Sequence, residues 1–138
     1  MKKIKSFSLG RSSLLLVIST FTLLLYNQCS QKMEIEGVDL DRWKQDRNGC
    51  LGLRAADIEN FREKKNEFLA KDNQALIKTF GRPDKVELAD RSQSFFIYFI
   101  DPSPACEGTE KMDAPLKVIF RLNAINRVSE VTITTLDP

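Results

Sequence analysis

The chain has 138 residues, of which 42% are hydrophobic and 29% are charged, a composition typical of a single globular domain and unlike that of a disordered protein. The first 28 residues hold four of the 21 basic residues and no acidic one, which leaves 17 basic and 19 acidic residues after them. Such a near balance gives no indication of a nucleic-acid surface, so we expect no nucleic-acid partner.

The N-terminal segment has the pattern of an export signal. Lys2, Lys3 and Lys5 precede an uncharged and mostly apolar run over residues 14–26. A helix that spans a membrane needs roughly 20 such residues, so this run is short for that role. We therefore predict that residues 1–28 are a signal peptide, with a retained membrane anchor as the alternative.

Cys29 follows the apolar run and is the predicted site of lipidation. The segment resembles the lipobox of bacterial lipoprotein signals, in which a leucine three or four positions before the cysteine is followed by small residues. Leu25 fits the fourth position, whereas Tyr26, Asn27 and Gln28 depart from the small-residue pattern. The alternative is cleavage by a conventional signal peptidase, which would leave Cys29 as a free thiol.

Lipid on Cys29 would leave Cys50 and Cys106 as a pair, and an oxidising compartment favours a disulfide between them. The alternative is two free, buried thiols. The chain has no histidine and no C-x-x-C motif, so we expect neither a metal site nor a cofactor.

Residues 29–40 lack a clear period and are predicted to form a tether. Asp39 or Asp41 is suited to cap a helical turn that contains Trp43. From residue 53 to about residue 70 the apolar residues follow the spacing of an amphipathic helix.

A second, shorter helix is predicted to begin at Asp72 or Asn73 and to end after Phe80. Gly81 permits the left-handed conformation that closes a helix, and Pro83 prevents its continuation.

The remaining elements are predicted strands. A short strand over residues 85–88 leads to a central one over residues 94–100, in which both faces are apolar. The irregular segment 101–115 separates them from an alternating strand over residues 116–122, a turn at residues 123–126, and a last strand around Val131 and Ile133 with a possible bulge at Val128.

The central strand has two apolar sides, and we expect helices to cover only one of them. Because the hydroxyl of Tyr98 tolerates water, the sequence favours placing Phe95, Ile97 and Phe99 under the helices. The outer side of the sheet would then be a partner-binding surface, formed by Phe96, Tyr98 and Ile119 and flanked by Lys117 and Arg121. In the alternative, the tether or the segment 101–115 folds over this side.

The order of these elements resembles that of small outer-membrane lipoproteins of the BamE (SmpA/OmlA) type, whose fold is shared with the proteinaceous β-lactamase inhibitors. The resemblance rests on Gly81, Pro83 and Asp84 at the end of the helix, on Tyr98 in an aromatic strand, and on Val118 and Phe120 in a later strand. It covers roughly residues 68–133. It implies an accessory role in the assembly of β-barrel proteins in the outer membrane.

Together these features predict an α+β domain over residues 41–138, with two helices on one face of a three- to four-stranded antiparallel sheet. No histidine is present to serve as the commonest general base, and we expect no enzyme activity. The predicted function is that of a lipid-anchored scaffold or assembly accessory in the cell envelope, most simply at the outer membrane, with a protein partner. The alternative is an inhibitor of an extracytoplasmic enzyme that acts through the loop 101–115.

Overall fold

The computed structural model describes residues 32–89, 92–108 and 112–138. Within these ranges the chain folds into three α-helices, each no longer than eight residues, followed by a four-stranded sheet, which agrees with the predicted α+β class. The helices are α1 (Leu40–Gln45), α2 (Ile58–Lys64) and α3 (Asn73–Phe80), and the strands are β1 (Lys85–Ala89), β2 (Gln93–Phe99), β3 (Lys117–Leu122) and β4 (Val128–Thr134). The strands are antiparallel, in the order β1-β2-β3-β4.

The predicted helix caps are confirmed at α1 and α3. Asp39 caps α1, because its Oδ1 accepts hydrogen bonds from the backbone N–H groups of Asp41 and Arg42. Asp72 caps α3 through a 2.8 Å bond from Ala75 N to its Oδ1. Gly81 ends that helix with a φ of 82°.

The single helix predicted over residues 53–70 is divided in the structure. A 3-10 turn at Arg54–Asp57 precedes α2, and another at Lys65–Phe68 follows it. The helix stops there because Ala70 leaves it with a φ of 63° and donates its N–H to Val128 O on β4. Leu69, predicted to be part of the apolar face, is consequently exposed.

The core lies between the helices and the sheet and is rich in aromatic rings. Neighbouring ring centroids are 5.1 to 6.5 Å apart, distances at which aromatic pairs attract one another. The rings belong to Trp43, Phe61, Phe68, Phe80, Tyr98 and Phe120, and all are buried.

The side of the central strand β2 that faces the helices is the opposite of the predicted one. Phe96 and Tyr98 pair with Phe120 and Val118 on the side that faces the helices, and both are buried. Tyr98 needs no water there, because its hydroxyl donates a 2.9 Å hydrogen bond to Gly81 O just beyond α3. Their predicted placement on the outer side is therefore wrong, and so is the burial of Phe95, Ile97 and Phe99 under the helices.

Much of the segment predicted as a tether belongs to the folded domain. Ile35, Val38 and Leu40 are buried in the core, and Met33 N donates a 2.9 Å hydrogen bond to Thr79 Oγ1 on α3. The apolar residues of this segment follow no regular period, yet they pack into the core. The predicted signal peptide, residues 1–28, and Cys29 lie outside the described residues.

Candidate functional site

The side of the sheet turned away from the helices is the candidate functional surface, and we call it the outer face. Its strand-borne residues follow from the pairing of the strands, which places directly opposed residues on one side. They are Lys85, Glu87, Ala89, Gln93, Phe95, Ile97, Phe99, Lys117, Ile119, Arg121, Glu130, Thr132 and Thr134. Lys117, Ile119 and Arg121 thus lie where they were predicted, whereas Phe95 and Phe99 occupy the places predicted for Phe96 and Tyr98.

The centre of the outer face is apolar and closely packed. Ile97 and Ile119 are opposite each other on β2 and β3 and are only 1% and 5% exposed. Phe95 and Phe99 lie on either side of Ile97 along β2 and are half-buried. The outer face is therefore not a wide open hydrophobic patch, and its accessible apolar area lies at the two phenylalanines.

Charged pairs surround this apolar centre. Arg121 lies 3.5 Å from Glu130 and also donates two hydrogen bonds to Gln93 Oε1. On β1, Lys85 forms an ion pair with Glu87. This hydrogen bond from Lys85 to the Glu87 carboxylate raises the pKa of Lys85, so the ammonium group stays charged at neutral pH.

Lys117 is the most deeply placed charge of the outer face. It is 3% exposed, its Nζ lies 2.5 Å from Asp137 Oδ1, and it is 5.9 Å from the centre of the Phe99 ring. The hydrogen bond from Lys117 lowers the pKa of Asp137, which keeps that carboxylate ionised. The residues after β4 are therefore fastened across the outer face.

Asp137 also lines two cavities, a groove and a pocket. The groove has a volume of about 350 Å³ and is lined on the sheet by Phe95, Ile119, Arg121 and Thr132, among others. The pocket has a volume of about 410 Å³ and lies between Phe99 and the loop residues Ser103, Pro104 and Ala105. Both combine an apolar floor with charged margins.

The loop beside the pocket is fixed at several points. A disulfide joins Cys106 to Cys50, with the two Cα atoms 5.5 Å apart, as their occurrence in the sequence predicted. Ser103 is buried and donates its N–H to Asn48 O at 2.9 Å, while Pro104 and Ala105 are exposed. The loop therefore presents a short exposed tip on a fixed base.

An ion pair that the sequence analysis missed holds the end of β2 at Phe99, beside the pocket. Arg54 is almost completely buried and lies 2.5 Å from the buried carboxylate of Asp84. Asp84 also accepts a 2.9 Å hydrogen bond from Phe99 N, and Arg54 donates to the carbonyl oxygens of Phe99 and Trp43. The Gly-x-Pro-Asp sequence drew attention to Asp84 only as a helix stop; nothing local indicated that an arginine 30 residues earlier would be its partner.

The titratable groups show no arrangement typical of catalysis in the part of the chain that is described. No group of three or more His, Cys, Asp or Glu side chains there could hold a metal ion. Burial, with a smaller contribution from the charge of Asp84, raises the pKa of Tyr98, but its hydroxyl points to Gly81 O inside the core. In the same described ranges, no helix is long and apolar enough to cross a bilayer.

Comparison of the chain with protein-family models, with curated proteins and with solved structures found no significant match.

Proposed function

We propose that this protein is a lipid-anchored, non-catalytic accessory protein of the cell envelope that binds a protein partner through its outer face. The observation that carries the proposal is the groove, in which Phe95 and Ile119 form an apolar floor beside the Arg121–Glu130 ion pair. Apolar and aromatic residues bounded by charges are the usual composition of a protein interface.

Two further features support this proposal. The disulfide between Cys50 and Cys106 suits a compartment outside the cytoplasm. The carboxylates of the outer face are each paired with a cation, as in Glu87 with Lys85, Glu130 with Arg121 and Asp137 with Lys117. A carboxylate that is already paired with a cation is better suited to orient a partner than to act as a general base.

Photocrosslinking tests the outer face directly. A photoreactive phenylalanine at position 95 is expected to capture one membrane protein in cells that produce the chain, because Phe95 lines the groove. The same group at position 125 is the control, since Ile125 is exposed in the turn between β3 and β4 and lies off the outer face. Arg121→Glu should abolish the product formed at position 95. Identical products from both positions, or none from position 95, would contradict the proposal.

The lipid anchor is tested separately by the intact mass of the purified protein. The mature chain should carry a mass increment of lipid size that is absent from the Cys29→Ala variant. An unmodified wild-type mass would remove the anchor from the proposal and leave the outer face to be judged on the crosslinks alone.

The loop geometry favours a second candidate, inhibition of an extracytoplasmic enzyme. Pro104 and Ala105 are exposed between two buried, anchored residues, Ser103 and Cys106, so the tip is held rigid before any binding. Preorganisation of this kind reduces the entropy cost of inserting a loop into a cleft. A photoreactive group at position 105 would then capture a soluble enzyme, whereas the first candidate predicts a membrane protein at position 95.

A further inference from the structure

The edge strand β1 carries exposed apolar side chains that nothing in the described residues covers. Val86 and Leu88 lie opposite Phe96 and Ser94, on the side of the sheet that faces the helices. The helices pack over β2 and β3 but do not reach β1, so Val86 is 50% exposed and Leu88 86% exposed, whereas Phe96 is 8% exposed. Large apolar side chains with this exposure on an edge strand are a feature of association sites.

The two edges of the sheet differ in their protection. At β4, Ala70 N donates to Val128 O and Val128 N donates to Lys71 O, so residues before α3 occupy the start of that edge. Among the described residues, β1 pairs only with β2. Because alternate residues of a strand direct their N–H and C=O groups to opposite sides, part of the β1 backbone is free to pair with another strand.

The sequence of β1 is complementary to itself when two copies are antiparallel. With a two-fold axis through Val86, Val86 of each copy lies opposite its counterpart, and Lys85 of one copy lies opposite Glu87 of the other. An axis through Glu87 or through Lys85 would instead place like charges directly opposite, which destabilises a strand pair. Of these three axes, charge thus selects the one at Val86.

We propose that β1 is a dimerisation edge at which a second copy of this chain adds its own β1 in antiparallel orientation, with the two-fold axis at Val86. The two sheets then form one continuous sheet of eight strands, with both sets of helices on the same side. In each copy Lys85 exchanges its own Glu87 for that of the second copy, so no charge is left unpaired. This inference does not rest on the proposed function, which concerns the groove lined by Phe95 and Ile119.

The expected dimer is weak, because a strand pair of about five residues buries less than the roughly 1,200 Å² of a stable complex. Covalent trapping is therefore the suitable measurement. Directly opposed residues of an antiparallel pair have Cα atoms about 4.5 to 5.5 Å apart, within the range of a disulfide. In the full chain, Val86→Cys should form a covalent dimer under mild oxidation.

Leu88→Cys is the matched control, because Leu88 lies on the same side of the same strand and is more exposed. With the axis at Val86, the two copies of residue 88 are about 13 Å apart and are out of reach of a disulfide. A dimer formed by Val86→Cys alone supports the proposal. Dimers from both variants, from Leu88→Cys alone, or from neither would overturn it.

Charge exchange gives a second test in the Val86→Cys background. Lys85→Glu places two carboxylates opposite each other and should weaken dimer formation about tenfold, as two cross-strand pairs change from attraction to repulsion. The double variant Lys85→Glu, Glu87→Lys restores complementarity and should restore the dimer. Equal crosslinking of all three proteins would overturn the proposed register.

Discussion

At the scale of single residues, the most consequential contact is the buried pair of Arg54 and Asp84. Both side chains are removed from water, and the guanidinium also lies 5.5 Å from the Trp43 ring centre and 5.7 Å from that of Tyr98. Asp84 contacts Arg54 on the helix side and Phe99 N at the end of β2, so it joins these two parts of the domain. Because the pair is enclosed, loss of one partner leaves an uncompensated buried charge rather than a charge in water.

We predict that Asp84→Ala lowers the free energy of unfolding by about 3 to 5 kcal/mol, since Arg54 then remains charged without a carboxylate. Glu59→Ala is the control, because it breaks the exposed pair of Glu59 with Arg62 and should cost at most about 1 kcal/mol. Urea denaturation of the two variants measures both values. Similar decreases in the free energy of unfolding for the two variants would contradict a larger contribution from the buried pair.

Tyr98 gives the domain a dependence on alkaline pH. Its pKa is raised in the folded state by burial, whereas in the unfolded chain it titrates near its ordinary value of about 10. The contribution of Tyr98 is therefore complete below about pH 10 and is lost as the pH rises through the folded pKa, at up to about 1.4 kcal/mol per pH unit.

We accordingly predict that the unfolding free energies of the wild type and of Tyr98→Phe converge as the pH rises above about 10. Below that pH the variant should be less stable by about 1 kcal/mol, because Gly81 O loses its hydrogen bond. Denaturation curves at pH 8, 10 and 11 measure the difference, and the lysines common to both proteins cancel from it. A constant difference over this range would be evidence against the buried hydroxyl.

At the scale of elements, the local sequence predicts most helix boundaries. It fails where a boundary depends on a contact with a residue far away in the chain. Asp39 and Asp72 begin their helices and Gly81 ends one, each by bonds to groups at most four residues away, so the sequence predicts these boundaries. The division of the helix over residues 53–70 depends on Ala70 pairing with Val128, 58 positions later, and no local pattern carries that information. The burial of Ile35 and Val38 likewise depends on surfaces formed later in the chain.

The contact between the turn at Gly49 and the loop after β2 is close enough to require glycine. Gly49 has a φ of 69°, and a Cβ atom on it would lie 2.3 Å from Asp101 O, a backbone atom. Gly52 has a similar φ of 66°, but a Cβ atom there would meet nothing within 4 Å. Substitution of these two glycines therefore distinguishes the cost of backbone strain alone from the cost of strain with steric overlap.

We predict that Gly52→Ala costs about 1 to 2 kcal/mol, the strain of a left-handed alanine. Gly49→Ala should cost clearly more, because it adds the clash with Asp101 and displaces the loop base. Thermal denaturation ranks the two variants. An equal decrease in both would mean that the loop moves aside without cost.

At the scale of the whole molecule, the sequence predicted the α+β class, the order of the strands along the chain and the pairing of the cysteines. It did not predict which side of β2 faces the helices, because both sides are apolar and the choice rests on where the helices lie. Tyr98 misled the prediction since a polar hydroxyl favours the surface, whereas Gly81 O satisfies it inside. Of the residues predicted for the candidate site, Lys117, Ile119 and Arg121 lie on the outer face as expected, because they alternate along β3 with a wholly apolar set that faces the helices.

The disulfide closes a long loop of the chain, since 56 positions separate its cysteines. A double variant with Cys50→Ala and Cys106→Ala should lose about 4 kcal/mol of unfolding free energy, because the unfolded chain regains the entropy of that loop. The measurement is urea denaturation of this variant and of the wild type with and without reductant. Reductant should destabilise only the wild type. An equal effect on both proteins would contradict a stabilising disulfide between Cys50 and Cys106.

The docking of Met33 onto α3 determines how far the domain could stand from a bilayer. Met33 lies four positions after Cys29, and even a fully stretched chain of that length spans only about 14 Å. If Cys29 is acylated as proposed, this short segment holds Met33 within about 14 Å of the lipid attachment site. The C-terminal half of α3 would then lie near the lipid headgroups, and the outer face, on the other side of the sheet, would be left open to a partner.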